Sequence, residues 1–233
     1  MRSMRKNAIN GLDEILFVEI PEGSVILVTG AEGTLKSGLA FSMMANHVAA
    51  NDEHALYVTL EQNAESHLRN MNSLGIKKES NLHIFDYRDM RYEWMNSELD
   101  LIKMTEEVID SYKDKYDDLT LFALDSLNAL YSISEHDNMR NMIYDFFSHL
   151  RDKGLISFLI MESDQSRISG QFTQFHQTEH YLADGTIELG MIEGKGGVKR
   201  YIQILKMRAT KHAMEKHQLT IDENGISIRG PIY

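Results

Sequence analysis

No cysteine occurs in this chain. Disulfide scaffolds, thiolate metal sites and cysteine nucleophiles are therefore excluded. Proline is almost as scarce, with Pro21 and Pro231 the only two. There is no Pro/Gly/Ser-rich linker, no low-complexity tract and no repeat, so residues 1–233 read as one domain. No apolar run approaches the roughly 18 residues that a membrane span needs. The basic N-terminus, MRSMRKNAINGLDEIL, lacks the apolar stretch of a signal peptide. A cytoplasmic protein with no membrane insertion is the resulting expectation. Positive charge is also short: 24 Lys and Arg stand against 35 Asp and Glu, a net charge of −11. Such a chain repels nucleic acid unless its basic groups are clustered.

The rest of the composition is ordinary for a globular protein, at 42% hydrophobic and 25% charged. Strand and helix patterns alternate along most of the chain. Val25–Thr29, Ala55–Leu60, Leu82–Asp86, Leu119–Leu124 and Leu155–Met161 read as strands. Ser37–Ala50, Glu61–Leu74 (ended by Gly75), Ser97–Tyr116 and Asn138–Asp152 read as helices. Residues 163–181 are polar and without clear period. Two hairpins then follow: Thr186–Ile192 with Val198–Met207, and a smaller one of Gln218–Ile221 with Ile226–Ile228. This order predicts an α/β fold with a mainly parallel sheet flanked by helices and antiparallel hairpins at the C-terminal end.

The richest segment is VILVTGAEGTLKSG at 25–38. A buried strand, a glycine-containing loop and a helix follow one another, as in a phosphate-binding P-loop. Backbone N–H groups across Gly30, Glu32, Gly33, Thr34, Leu35, Lys36, Ser37 and Gly38 would cradle polyphosphate, and the helix N-terminus favours the same charge. Lys36 would reach the β- and γ-phosphates, and the Ser37 hydroxyl would ligate Mg²⁺. One position departs from the motif. Leu35 stands where a second glycine is expected, at a point where glycine accepts unusual backbone angles without steric cost.

Two carboxylates sit where strands end. Asp125 closes LTLFALD and suits a Mg²⁺ ligand. Glu61 follows ALYVTL and suits a base that orients and deprotonates water. Its neighbour Gln62 is neutral and could only orient.

Together these segments resemble the KaiC/RecA superfamily of ATPases over nearly the whole chain. GLDEIL at 11–16 resembles the segment that precedes the family's P-loop strand, and YVTLEQ at 57–62 its strand and acid pair. LTLFALDSLNAL at 119–130 is similar to its Mg²⁺ strand, and Lys206, Arg208, Thr210 and His212 fall on its K-x-R-x-T-x-H pattern. The resemblance implies a RecA-like P-loop NTPase core, with ATP and Mg²⁺ as cofactors. It also implies self-association into a ring, a homohexamer with nucleotides between subunits. Lys206 and Arg208 would then act in trans on a neighbour's γ-phosphate, sharing one face of their strand. Met207, Thr210 and His212 would line the same nucleotide, and Ser73 the adenine. Leu35 and Gln62 depart from the family pattern and point to slow hydrolysis. Two other readings stay open, the first motivated by these two departures and the second by the resemblance of 163–181 to the central loops with which RecA relatives bind DNA. One is a non-catalytic ATP-sensing subunit of archaellum-motor type, with an unidentified protein partner. The other, less favoured, is a recombinase-like single-stranded DNA module using Arg167, Phe172, Phe175, His176 and Tyr181.

Overall fold

A computed structural model describes residues 2–4, 8–87, 101–131, 139–163, 175–194, 197–223 and 225–232. Its strands are β1 (Ser3–Met4), β2 (Ile20–Pro21), β3 (Val25–Gly30), β4 (His54–Thr59), β5 (Leu82–Asp86), β6 (Leu119–Asp125), β7 (Ile156–Glu162), β8 (Gly185–Gly194), β9 (Gly197–Met207), β10 (His217–Asp222) and β11 (Gly225–Pro231). Its helices are α1 (Leu12–Ile15), α2 (Lys36–Asn51), α3 (Ala64–Ser73), α4 (Leu101–Lys115), α5 (Leu127–Tyr131), α6 (Met139–Asp152) and α7 (Phe175–Leu182).

Nine strands form one sheet in the order β11-β10-β9-β8-β3-β7-β6-β4-β5. The six from β8 to β5 run parallel. Strands β9, β10 and β11 add antiparallel pairs at one side. Every residue of β3 and β6 is buried, as strands covered on both faces require. Alternation along β3 divides the core. Ile26 and Val28 face a cluster with Phe41, Met43 and Met44 of α2. Val25 and Leu27 face another with Ile109 of α4 and Phe146 and Phe147 of α6. Among the described residues, no helix is long and apolar enough to cross a membrane.

The N-terminal segment is sewn onto the C-terminal hairpins. Ile228 N–H bonds the Asn10 carbonyl at 2.8 Å, and Phe17 N–H bonds Lys211 O at 2.9 Å. Gly11, at φ +80°, explains the GLD motif here: a Cβ would sit 2.2 Å from the Ile228 carbonyl oxygen.

Three boundaries differ from the sequence reading. Helix α3 begins at Ala64 rather than Glu61, because Asn63 caps it by accepting Ser66 N–H at 2.6 Å. Thr59 Oγ1 meanwhile holds Gln62 N–H in a turn at 3.2 Å, leaving Glu61 at the strand exit. Part of the aperiodic stretch forms α7. Strand β9 ends at Met207, so Arg208 lies in the turn beyond it and not on a shared strand face with Lys206.

Candidate nucleotide site

The P-loop leaves the C-terminal end of β3 beside the end of β7 and the middle of β8, where Gly30 pairs with Glu162 and Leu189. Gly30 is required there. Its φ is +157°, and a Cβ would meet Leu189 O at 2.2 Å and Thr34 Oγ1 at 2.8 Å. The loop is tied internally. Thr34 Oγ1 donates to Ala31 O at 2.7 Å, and Lys36 Nζ donates to the same carbonyl at 2.8 Å. Leu35 resolves the motif's departure in an unexpected way. It adopts the left-handed conformation itself, φ 76° and ψ 28°, at the N-cap of α2. The backbone shape that glycine normally supplies is therefore present. The Leu35 side chain packs, partly buried, against the core, which offsets the strain.

Lys36 is ringed by acid. Burial holds its ammonium below the ordinary lysine range, while Glu162, Asp125, Glu61 and Glu32 act in the other direction. Asp125 is 8% exposed, and burial pushes its carboxyl up. Hydrogen bonds from Tyr57 and Ser37, together with the Lys36 charge, oppose that shift. The Tyr57 hydroxyl donates to Asp125 Oδ2 at 2.7 Å. Ser126, joined to Asp125 by a cis peptide, donates through its hydroxyl to Glu61 Oε1. The acids at the exits of β4 and β6 are thus brought to one place. Ser37 and Asp125 are hard oxygen donors that fit Mg²⁺, with phosphate and water completing its shell. Among the described residues, no group of three His, Cys, Asp or Glu forms a metal site.

The basic residues of the C-terminal motif lie elsewhere. Gly185 begins β8 and pairs with Met207, whereas Leu189 pairs with Gly30. Four residues of strand, about 13 Å, therefore separate the two edges along the sheet. At the far edge, Lys206 Nζ donates to the carbonyls of His180 (3.0 Å) and Ala183 (2.6 Å) at the end of α7. Burial, then the nearby Arg208, hold this ammonium below its usual range, and Asp184 opposes them. Arg208 bonds Asp184 Oδ1 at 3.2 Å and Tyr181 O at 3.1 Å, and is 54% exposed at its side chain. Met207 turns inward against Gly185. Thr210 is buried, its hydroxyl unbonded, so this hydroxyl is not presented at the surface. His212 Nδ1 lies 3.0 Å from Ala213 O. Ser73, exposed, bonds Asn70 O at the end of α3; the next residue, Leu74, abuts Gly38 in the first turn of α2.

Several residues at these two edges were not read from the sequence. Glu162 at the end of β7 is the first carboxylate acting on Lys36, and Asn128 Oδ1 accepts its N–H at 2.7 Å. Asp184 accepts from Val25 N–H at 3.1 Å and Arg151 Nε at 3.0 Å as well as from Arg208. Arg200 Nε donates to Gly33 O of the P-loop at 3.0 Å. Of the aromatic and basic residues considered for DNA, Arg167 and Phe172 and the side chains of Phe175 and His176 lie outside the described residues. Tyr181 is described and is 74% exposed.

The family model described as "ATPase: KaiC" matches residues 5–232. The chain belongs to the KaiC ATPase family. It is 28% identical to the circadian clock oscillator protein KaiC of Picosynechococcus over 96% of its length, but that alignment spans only 44% of the relative. The chain thus covers less than half of the clock proteins it matches. It is 27% identical to a UPF0273 protein of Thermotoga maritima, over 96% of this chain and 94% of the other. The solved KaiC-like protein of Pyrococcus horikoshii superposes with a TM-score of 0.80 at 26% identity, covering 98% of this chain and 99% of that one. The mainly parallel sheet with antiparallel C-terminal strands is the architecture of that KaiC-like fold.

Proposed function

We propose that this chain binds ATP with Mg²⁺ and hydrolyses it slowly, at sites shared between copies arranged in a ring, a homohexamer. The observation that supports the reading is the separation of the P-loop from Lys206 and Arg208, which lie at opposite ends of the parallel strands. Lys206 and Arg208 cannot serve the P-loop of their own chain. In a head-to-tail ring they serve the next one.

Each residue then has a task. Loop N–H groups from Gly30 to Gly38 and the start of α2 hold the phosphates, and Lys36 adds its charge. Ser37 and Asp125 hold Mg²⁺, which neutralises charge on the phosphate oxygens when bound. Tyr57 keeps the Asp125 carboxylate aimed. Glu61, steadied by Ser126, orients and deprotonates the attacking water. The neighbour's Lys206 and Arg208 stabilise charge that builds on the γ-phosphate. Ser73 and the neighbour's His212 are left for the adenosine end. Turnover is slow because Gln62 occupies the second acid position and its amide oxygen is engaged by Asn70 Nδ2 at 3.1 Å.

Light scattering with and without ATP and Mg²⁺, paired with phosphate release, tests this. A ring of defined mass with measurable, Glu61-dependent release is expected. A monomer under both conditions would remove the ring. Tight ATP binding with no release above Glu61→Gln would favour the sensor reading, which the Gln62 geometry also suits.

A further inference from the structure

Arg200 touches the phosphate loop directly, yet the hydrolysis scheme gives it no task. It sits on β9, opposite Met191 of β8, and its Nε holds the Gly33 carbonyl at 3.0 Å. Met191 also reaches the loop: its Cε lies 3.4 Å from where a Gly33 Cβ would be. The β8–β9 hairpin therefore grips the P-loop from outside through two cross-strand partners. Six residues along the same strand, about 20 Å away, stands Lys206, with Arg208 just beyond.

The segment between is packed along its length, with one register shift against β8 between Ile204 and Lys206. Tyr201 Oη donates to Glu188 Oε1 at 2.8 Å, and the Tyr201 ring covers Gly190, where a Cβ would sit 2.4 Å from ring carbon. Ile202 and Ile204 are buried in the core. At its far end, β9 is fixed to the start of the P-loop's own strand. Arg208 N–H bonds Asp184 O, and Asp184 N–H bonds Val25 O.

We propose that β9 couples each subunit's own phosphate loop to the finger pair it offers its neighbour, with Arg200 as the positioning residue at the loop end. This rests on the shared-site reading above. The two states are defined by the loop's carbonyls. In the structure Ala31 O accepts from Lys36 and Thr34, and Gly33 O accepts from Arg200. Polyphosphate competes with Ala31 O for the Lys36 ammonium, two residues from the bond that Arg200 makes. A loop that rearranges around phosphate strengthens or releases the Arg200 bond, and the packed strand carries that displacement toward Lys206. Sites around the ring then sense one another's occupancy through a defined bond.

Mixed rings test it. One donor subunit carries Glu61→Gln, which silences its own turnover but keeps its loop and fingers. A second carries Glu61→Gln with Arg200→Met, which keeps the aliphatic stem and removes the donors. Each is co-expressed in excess with tagged wild-type chain, and ATP turnover per wild-type subunit is measured. The second donor is expected to alter that rate by about fivefold or more relative to the first. Equal rates would overturn the proposal. A third donor with Glu61→Gln and Arg208→Ala reports on the foundation. If it also leaves the rate unchanged, the shared site fails and the coupling falls with it. If it depresses the rate while Arg200→Met does not, the coupling alone is lost. Should Arg200→Met not assemble, Arg200→Lys, which keeps charge but lacks the planar Nε donor, takes its place with the same two outcomes.

Discussion

The two edges of the parallel sheet are built from opposite materials. At the C-terminal edge, one lysine stands among Glu32, Glu61, Asp125 and Glu162. At the N-terminal edge, Lys206 and Arg208 are exposed in part and held by helix carbonyls and by Asp184. The first edge has donors for phosphate and acids for a metal and a water, but little cationic charge for a triphosphate. The second has its cations gathered around a single shared carboxylate, Asp184, which pairs with Arg208 and Arg151. A chain whose two edges complement each other, and cannot meet within one copy, is suited to head-to-tail association. Charge complementarity of this kind also sets orientation and encounter rate.

The sharpest way to break this contrast is to remove a cation from the far edge. Arg208→Ala is expected to lower turnover about 10²–10³-fold while changing ATP affinity only a few-fold, read from single-turnover phosphate release and equilibrium binding. Equal losses in both would mean that Arg208 supports the fold of its own subunit rather than a neighbour's transition state.

A second break comes from pH and concerns what lies against Tyr57, next to the loop edge. His67 is buried against Tyr57, with ring centroids 4.5 Å apart, and its imidazole is pushed down to about 4 by burial. The sign follows directly. An unfolded chain takes up the proton near the ordinary 6.5, whereas the folded chain resists until about 4, so stability is lost as pH falls through that window. Between pH 7 and pH 4.5 the wild type should lose roughly 2–3 kcal/mol more than His67→Phe. Denaturant melts at the two pH values check it.

The third prediction sharpens the metal end of the contrast. Tyr57→Phe removes the donor to a buried carboxylate, so the Asp125 pKa rises further. The Mg²⁺ concentration for half-maximal turnover should rise about tenfold, and more at low pH, with the fold unchanged. The effect should be absent when saturating Mg²⁺ is supplied.

The smallest effect concerns Leu35. Left-handed geometry costs about 1–2 kcal/mol for a non-glycine residue, and the packed side chain returns a similar amount. Leu35→Gly should therefore shift stability by less than about 1 kcal/mol, whereas Leu35→Ala keeps the strain and loses the packing, costing about 1–2 kcal/mol. Chemical denaturation of the two variants decides between them.

The two edges also differed in how much of them was legible. Buried strands such as VILVTG and LTLFALD announce themselves by unbroken apolar runs, and acids at their exits mark the loop edge. That same signal was available for Glu162, which ends ISFLIME just as Asp125 ends β6. The Asn63 cap was also readable, because Asn just ahead of a helical run is a common N-cap. Leu35 was not: a leucine side chain gives no hint of left-handed backbone, which the surrounding loop and core impose. Tyr57 with Asp125, Ser126 with Glu61, and Arg200 with Gly33 are 65 to 167 residues apart in the chain. Only the sheet order brings them together. The distance of Lys206 from the P-loop likewise follows from register, which the sequence pattern alone does not specify.

One measurement addresses the proposed shared site most directly. Lys36→Ala removes the proposed phosphate lysine and leaves Lys206 and Arg208; Arg208→Ala removes a proposed finger and leaves the loop. Each variant alone should be nearly inactive. Co-expressed in equal amounts, they should recover about a quarter of the wild-type rate, since random mixing joins an intact loop to an intact neighbouring finger at that fraction of interfaces. Rings of both variants that assemble together yet recover no turnover would contradict a site shared between subunits.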